Sequence, residues 1–272
     1  MFPETPFGRF LASALAALIF ALAWPAMGQE EPDPMRVLFV GNSYTAYFAM
    51  PEQVQAMCDH AGIPAEIEMV TAGGKSWRWH LEEGRAPQRI ADGDWDVVVL
   101  QNHSRAALDM PGEFDAFGRQ LIQLIRANGA RPMLYLTWAR QHLPEDQATI
   151  TGKYAALASD HDAEVAPVGV AWKAWLEASP DVPLHRADRS HPNRAGSYLT
   201  ACVFFAALTG QSPEGVPHFI PGRDVVEKTD VLADLPPDLA AQIQTHAFQT
   251  VQAFDLAEVA ESGFEVEMVP SR

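Results

Sequence analysis

Short apolar runs alternate with longer stretches of helical period along most of this chain. Residues 35–40 are apolar and rich in β-branched side chains, which predicts a buried strand. Residues 50–61 have helical spacing and stop at Gly62-Ile63-Pro64. In 65–70, Glu66 and Glu68 alternate with apolar residues, as in a strand near a sheet edge. A glycine-containing loop at 71–76 leads to a predicted helix at 77–89, then a buried strand at 95–100. Residues 113–128 form an amphipathic pattern closed by Gly129, and 133–137 follow as the next strand. Helix 147–159, strand 163–168, helix 170–177 and an apolar helix at 193–210 complete the series.

Strand and helix thus alternate about five times, the pattern of a parallel sheet covered on both faces. Right-handed crossovers make such a chain a doubly wound α/β sandwich. Beyond Gly210 the pattern changes. Pro213, Pro217, Pro221 and the Pro236-Pro237 pair interrupt it, and 239–256 reads as one more helix. Residues 211–272 are therefore expected to be an appendage packed on the main domain of 29–210.

The N-terminus reads as a processing signal. Arg9 precedes an apolar run over 10–24, and Ala26 and Gly28 suit a signal peptidase site with Gln29 as the mature start. The expectation is a periplasmic or secreted protein with no stable membrane association after cleavage. An uncleaved anchor is the alternative, although the run is short for a spanning helix.

Composition narrows the partners more than the chemistry. The chain has 272 residues, 48% of them hydrophobic, with a formal net charge of −16 and a pI near 4.8. Acidity of that size repels nucleic acid and anionic membrane surfaces. The nine histidines lack metal-ligand spacing, and no glycine-rich phosphate cradle is present, so neither a metal nor another cofactor is expected. Cys58 and Cys202 can form one disulfide in an exported protein, or remain two buried thiols.

The chemistry is concentrated at the ends of the predicted strands. Ser43 follows the first strand in Gly41-Asn42-Ser43-Tyr44-Thr45. Far downstream, Asp188-Arg-Ser-His191 sets a carboxylate and an imidazole one turn apart. Serine, histidine and carboxylate are the parts of an activated acyl-transfer nucleophile. Each fragment also has a plain structural reading: an ordinary turn, a turn capped by Asp188 before the helix at Asn193, a tight loop at Gly73-Gly74.

Together and in order, four blocks resemble the SGNH, or GDSL-type, hydrolase superfamily over about 36–210. They are Gly41-Asn42-Ser43-Tyr44-Thr45, with Asn42 where many members have Asp; Ala72-Gly73-Gly74-Lys75-Ser76; Leu100-Gln101-Asn102-His103-Ser104; and Asp188-Arg189-Ser190-His191-Pro192-Asn193. The resemblance implies a flavodoxin-like three-layer α/β/α sandwich with a five-stranded parallel sheet. It also implies a catalytic triad of Ser43, His191 and Asp188. The oxyanion hole it implies is built from the Ser43 and Gly74 backbone N–H groups and a side-chain amide. That amide is Asn102 or Gln101, because Leu-Gln-Asn-His stands where the family has Gly-x-Asn-Asp.

Trp138, His103 and Trp77 are candidate substrate contacts, with Trp79 beside them; aromatic faces stack on sugars or hold acyl chains. The alternative for Trp77 and Trp79 is the core or a lid on it, and for His103 an ordinary polar strand end. The expected function is an exported serine esterase acting on small carboxylic esters. O-acetylated carbohydrate is suggested by the resemblance alone. A non-catalytic ligand- or carbohydrate-binding module on the same fold is the alternative. In the sheet order 2-1-3-4-5 that the resemblance implies, the first and last helices lie side by side, which would let Cys58 meet Cys202.

Overall fold

A computed structural model describes residues 33–262. The signal segment predicted at 1–28 lies outside them. Among the described residues no helix is long and apolar enough to cross a membrane.

Five strands form a parallel sheet: β1 (Met35–Gly41), β2 (Ala65–Thr71), β3 (Val97–Leu100), β4 (Arg131–Tyr135) and β5 (Glu164–Ala166). Their order is β2-β1-β3-β4-β5, with β1 paired in register to β2 and β3 on either side. The three central strands are buried on both faces, so they read as continuous apolar runs. Alternate residues still serve different layers. Val37, Phe39, Val97, Val99, Met133 and Tyr135 join one core. Leu38, Val40, Val98, Leu100 and Leu134 join the other.

The first core is covered by α2 (Met50–His60), α8 (Val168–Ala178) and α9 (Arg194–Thr209). The second is covered by α3 (Trp77–Glu82), α4 (Arg85–Asp92), α6 (Pro111–Ala127) and α7 (Asp146–His161). Two short helices sit at the carboxyl ends of strands: α1 (Ser43–Ala46) after β1 and α5 (Ala106–Asp109) after β3. The expected three-layer sandwich is the fold observed.

Several boundaries differ from the expectation for physical reasons. The helix expected over 77–89 is two helices, separated where Gly84 takes a φ of 71°. Strand β3 starts at Val97 because Trp95 turns aside, its Nε1–H donating to the Arg89 carbonyl at 2.9 Å. Strand β5 is only three residues, ended by Pro167 at the cap of α8.

After α9, the proline-interrupted stretch contains a two-stranded antiparallel hairpin, β6 (Phe219–Asp224) and β7 (Thr229–Asp234). The sequence reading missed it. Pro221 lies at a register shift, where its missing N–H does not break a regular ladder. Helix α10 (Pro237–Ala253) then packs along α9, and α11 (Leu256–Ser262) against α7. Val216, Ile220, Leu232, Ile243 and Ala247 all belong to the same apolar cluster as Phe39 and Phe204. Their burial makes the region after α9 continuous with the core on that face of the sheet.

Of the two states the sequence left open for Cys58 and Cys202, the structure has the free thiols. Cys58 on α2 and Cys202 on α9 are both free and fully buried in that cluster. The two helices do pack together, but both cysteines serve as small apolar core residues, with burial pushing the Cys58 thiol up to about 11.

Candidate active site

The carboxyl end of β1 is a close-packed corner. A Cβ on Gly41 would lie 2.5 Å from Thr45 Oγ1 and 2.6 Å from Gln101 Oε1, so only glycine fits between strand and turn. The Gly41 carbonyl accepts the ring N–H of His80 at 2.8 Å and the Ala72 N–H at 3.1 Å. Asn42 caps α1 by accepting the Tyr44 N–H on Oδ1 at 3.0 Å. Its Nδ2 donates to the Lys75 carbonyl at 2.9 Å and the Asn102 carbonyl at 3.3 Å. This explains the asparagine where aspartate is usual: an ionised carboxylate could cap the helix but could not donate to two carbonyls.

Ser43 thereby starts α1 with its hydroxyl presented to the loop before α9. Ser43 Oγ lies 2.8 Å from His191 Nε2, and His191 Nδ1 lies 2.7 Å from Asp188 Oδ2. Asp188 also caps its own turn. Its Oδ1 accepts the Ser190 and His191 N–H groups, each at 2.9 Å. The capping reading and the imidazole-orienting reading are therefore both realised, one on each carboxylate oxygen. Burial alone would raise the Asp188 pKa, but the His191 side chain and these two N–H groups outweigh it and hold the carboxyl below 3.8. Arg189 occupies the tight turn at φ 62°, and Asn193 caps α9 through the Gly196 N–H at 2.9 Å.

Opposite lies the glycine block. Gly74 is exposed and adopts φ 68°, a conformation that side chains resist. Among the described residues, the N–H groups of Ser43 and Gly74 have no acceptor. At the end of β3 the two amides have separate tasks. Gln101 Oε1 accepts the Asn42 N–H at 2.7 Å and the Thr45 hydroxyl at 3.1 Å, while its Nε2 donates to the Asn102 carbonyl. Both ends of Gln101 are consumed in bracing the turn. Asn102 Oδ1 accepts the His103 N–H at 2.8 Å and the Trp77 N–H at 3.1 Å. Those two bonds fix which end of the amide is nitrogen, and among the described residues its Nδ2 donates to nothing in the protein.

Of the aromatic candidates, Trp77 and Trp138 are buried, whereas Trp79 and His103 are half-buried. Trp77 is fully buried against Phe114 and Tyr154 and is a core residue. Trp138 is 1% exposed. It is sandwiched between Tyr44 at 4.5 Å and Trp172 at 3.8 Å, both nearly parallel, so neither face is free to stack on a ligand. Its Nε1–H donates to the Ser190 carbonyl at 2.9 Å, which steadies the loop carrying His191. Trp79 is half-buried with the Lys75 ammonium over its ring. His103 is half-buried, and burial together with the Arg140 guanidinium pushes its pKa down.

Sequence reasoning missed four groups that shape the corner. His80 braces Gly41, as above. Tyr44 pairs its hydroxyl with Ser190 Oγ at 2.7 Å, tying α1 to the histidine loop. Tyr47 lies 4.6 Å from the His191 ring, with the Arg186 guanidinium over its own ring. Asp224, on the hairpin, is 1% exposed and accepts the Phe48 N–H at 2.9 Å. Phe48 and Ala49 have φ of 52° and 42°, a left-handed turn that costs energy for residues with a side chain. A buried carboxylate from 176 residues away stabilises that turn. For Tyr44 the only sequence signal was its place beside Ser43; Asp224 carried none.

Among the described residues no cluster of three or more histidine, cysteine or acidic side chains is arranged to hold a metal. Neither a family model nor a curated protein matches the sequence. Solved structures do. An SGNH hydrolase candidate from Slackia heliotrinireducens is 28% identical with a TM-score of 0.58, over 65% of this chain and 100% of its own. The chain has the SGNH-hydrolase fold. A DUF4886 family protein from Bacteroides uniformis is 20% identical with a TM-score of 0.64, and the match covers 81% of this chain and 95% of that one. A Geobacillus acetyl-xylooligosaccharide esterase is 14% identical with a TM-score of 0.54, over 65% and 95% of the two chains. The resemblance read from four sequence blocks thus extends to the structure.

Proposed function

We propose that this protein is an exported serine esterase that hydrolyses small carboxylic esters, with O-acetyl groups on carbohydrates as the substrate class. One observation carries the reading: Ser43, His191 and Asp188 form a continuous relay of 2.8 Å and 2.7 Å at the carboxyl end of the sheet. In such a relay His191 Nε2 takes the proton from Ser43 Oγ as the oxygen attacks the ester carbonyl. Asp188 holds Nδ1–H and stabilises the imidazolium. The tetrahedral oxyanion is met by the Ser43 N–H, the Gly74 N–H and Asn102 Nδ2. The intermediate collapses as the alcohol leaves with the proton from His191, giving acyl-Ser43. Water, deprotonated by His191, then attacks the acyl group and releases the acid and free serine.

Gln101 is set aside as an oxyanion donor because its amide is consumed in the turn. That division of labour weakens the case for a binding-only module, which rested on the unusual Leu-Gln-Asn-His block. The acetyl and carbohydrate specificity is supported by the named activity of the Geobacillus neighbour. Export is supported by the sequence of 1–28, with Gln29 as the proposed mature start. Purified protein should hydrolyse p-nitrophenyl acetate, and an organophosphonate probe should label Ser43. An unlabelled serine together with no turnover would overturn the reading.

A further inference from the structure

A formal net charge of −16 leaves carboxylates in excess, and arginines beside the strand ends are paired with them. Arg105 holds Asp109 at 2.9 Å and Asp146 at 2.5 Å, and Arg186 holds Glu227 at 2.5 Å. Arg140, in the loop after β4, differs. It is half-buried and makes no ion pair among the described residues. Its Nη2 meets only the Ser104 hydroxyl, at 3.5 Å, the limit of a hydrogen bond. Its Nε is shut off from solvent without an acceptor. Nη1 also has no acceptor among the described residues, and it is open to solvent.

This guanidinium stands beside the loop that carries His191. The Tyr44 ring lies 5.5 Å from the His191 ring and points its hydroxyl at Ser190 Oγ, 2.7 Å away. Burial raises the Tyr44 pKa, while the Ser190 and Ser104 hydroxyls and the Arg140 charge act against it, so all three gather at the phenol end. The backbone joins the same two loops, the Gln141 N–H donating to the Arg189 carbonyl at 3.0 Å. The carboxylates nearest in the fold are already engaged: Asp188 by His191, Asp109 and Asp146 by Arg105. A half-buried cation with no anion is costly, and a carboxylate from outside would relieve that cost.

We propose that Arg140 is a specificity-determining residue, which binds a carboxylate carried on the alcohol part of the ester. The role deepens the proposed esterase function, on which it rests. In that reaction His191 passes its proton to the leaving alcohol, so groups flanking the His191 loop face the alcohol and not the acyl group. A guanidinium offers a planar fork of donors that matches a carboxylate. Elsewhere the acidic surface repels anions, so an anionic substrate is selected only where a local cation is left unpaired.

Two acetates of similar shape test this: 3-acetoxybenzoate, whose phenol carries a carboxylate, and its neutral methyl ester. Acetate release by the full mature chain should give a kcat/KM about tenfold higher for the anion. In Arg140→Gln the ratio should fall to about one, and Arg140→Lys should keep part of it. A variant that merely loosens the fold slows both esters alike; an unchanged ratio in Arg140→Gln would overturn the role. A native enzyme without preference for the anion would do so too, and the esterase reading would survive alone. Salt reads the same contact without a variant: about 1 M sodium chloride should bring the native ratio close to one, and a ratio unmoved by salt counts against the role. If neither ester is hydrolysed, the esterase reading falls, and calorimetry with 3-hydroxybenzoate decides the anion site alone. Binding that Arg140→Gln weakens about tenfold keeps the site. No binding, or equal binding to both chains, removes it.

Discussion

Two regions converge on the short segment after β1, and they do so by different means. The first is the strand-end corner, where Asn42 and Ser43 follow β1, Gln101 and Asn102 follow the adjacent β3, and Asn42 joins the two ends by hydrogen bonds of 2.7 and 3.3 Å. The second is the β6–β7 hairpin, which reaches the same segment through Asp224 on Phe48 and through Glu227 on Arg186, the residue over Tyr47. The corner brings reactive groups together. The hairpin contributes no reactive group and instead holds a left-handed turn and an aromatic ring against the histidine. In the proposed reaction the chemistry is local to the strand ends, while its positioning draws on chain after α9.

The sharpest way to separate the two is to compare rate with stability. Ser43→Ala should lower the p-nitrophenyl acetate rate about ten-thousandfold or more and leave the melting temperature nearly unchanged. A residual rate near that of the native enzyme would show that the corner is not the reactive region. Within the corner, Asn102→Ala should cost about a hundred- to a thousandfold in kcat. Gln101→Ala should instead cost about 1 to 3 kcal/mol of stability, because the buried Asn42 N–H loses its acceptor. Reversed outcomes would exchange the roles of the two amides.

The hairpin should answer in the opposite sense. Asp224→Ala removes the acceptor of the buried Phe48 N–H and of the Val226 N–H, and should lower stability by about 2 kcal/mol. At temperatures where it stays folded, kcat should fall severalfold with little change in KM, since Tyr47 loses its support against His191. Lost stability with an unaltered kcat would reduce the hairpin to a prop. The smallest effect concerns acid. Asp188 has a folded pKa below its ordinary 3.8, so it contributes stability above that value and loses it as pH falls through the lower folded one. Unfolding titrations from pH 5 downward should therefore show a slightly shallower decline in Asp188→Asn than in the native protein. Identical declines would mean that the His191 contact adds nothing to the carboxylate in the folded state.

How much of this was legible follows from where the signals reside. Strands β1 and β3 were readable because burial on both faces demands unbroken apolar runs, and α9 because Asn193 and Gly210 mark its two ends. The Gly84 break within 77–89 was obscured because one glycine is compatible with a weak helix as well as with a helix end. The hairpin was hidden because Pro221 reads as a breaker, and a bulged two-stranded pair tolerates it. Tryptophan was misleading at positions 77 and 138, since an aromatic near a strand end fits a core as well as a ligand site.

The sequence by itself determined the alternation that makes the sandwich and the four blocks from which the acyl-transfer reading is proposed, because each depends on spacing within a few positions. Tertiary structure decided what spacing cannot encode. It turned the Gln101 amide inward, left Asn102 Nδ2 without a partner among the described residues, and kept Cys58 and Cys202 as separate thiols on neighbouring helices. It also enclosed Trp138 between two rings and placed Asp224 under Phe48. These outcomes rest on which partner a polar or aromatic group meets across the fold, and that partner lies tens to hundreds of residues away, 176 in the case of Asp224.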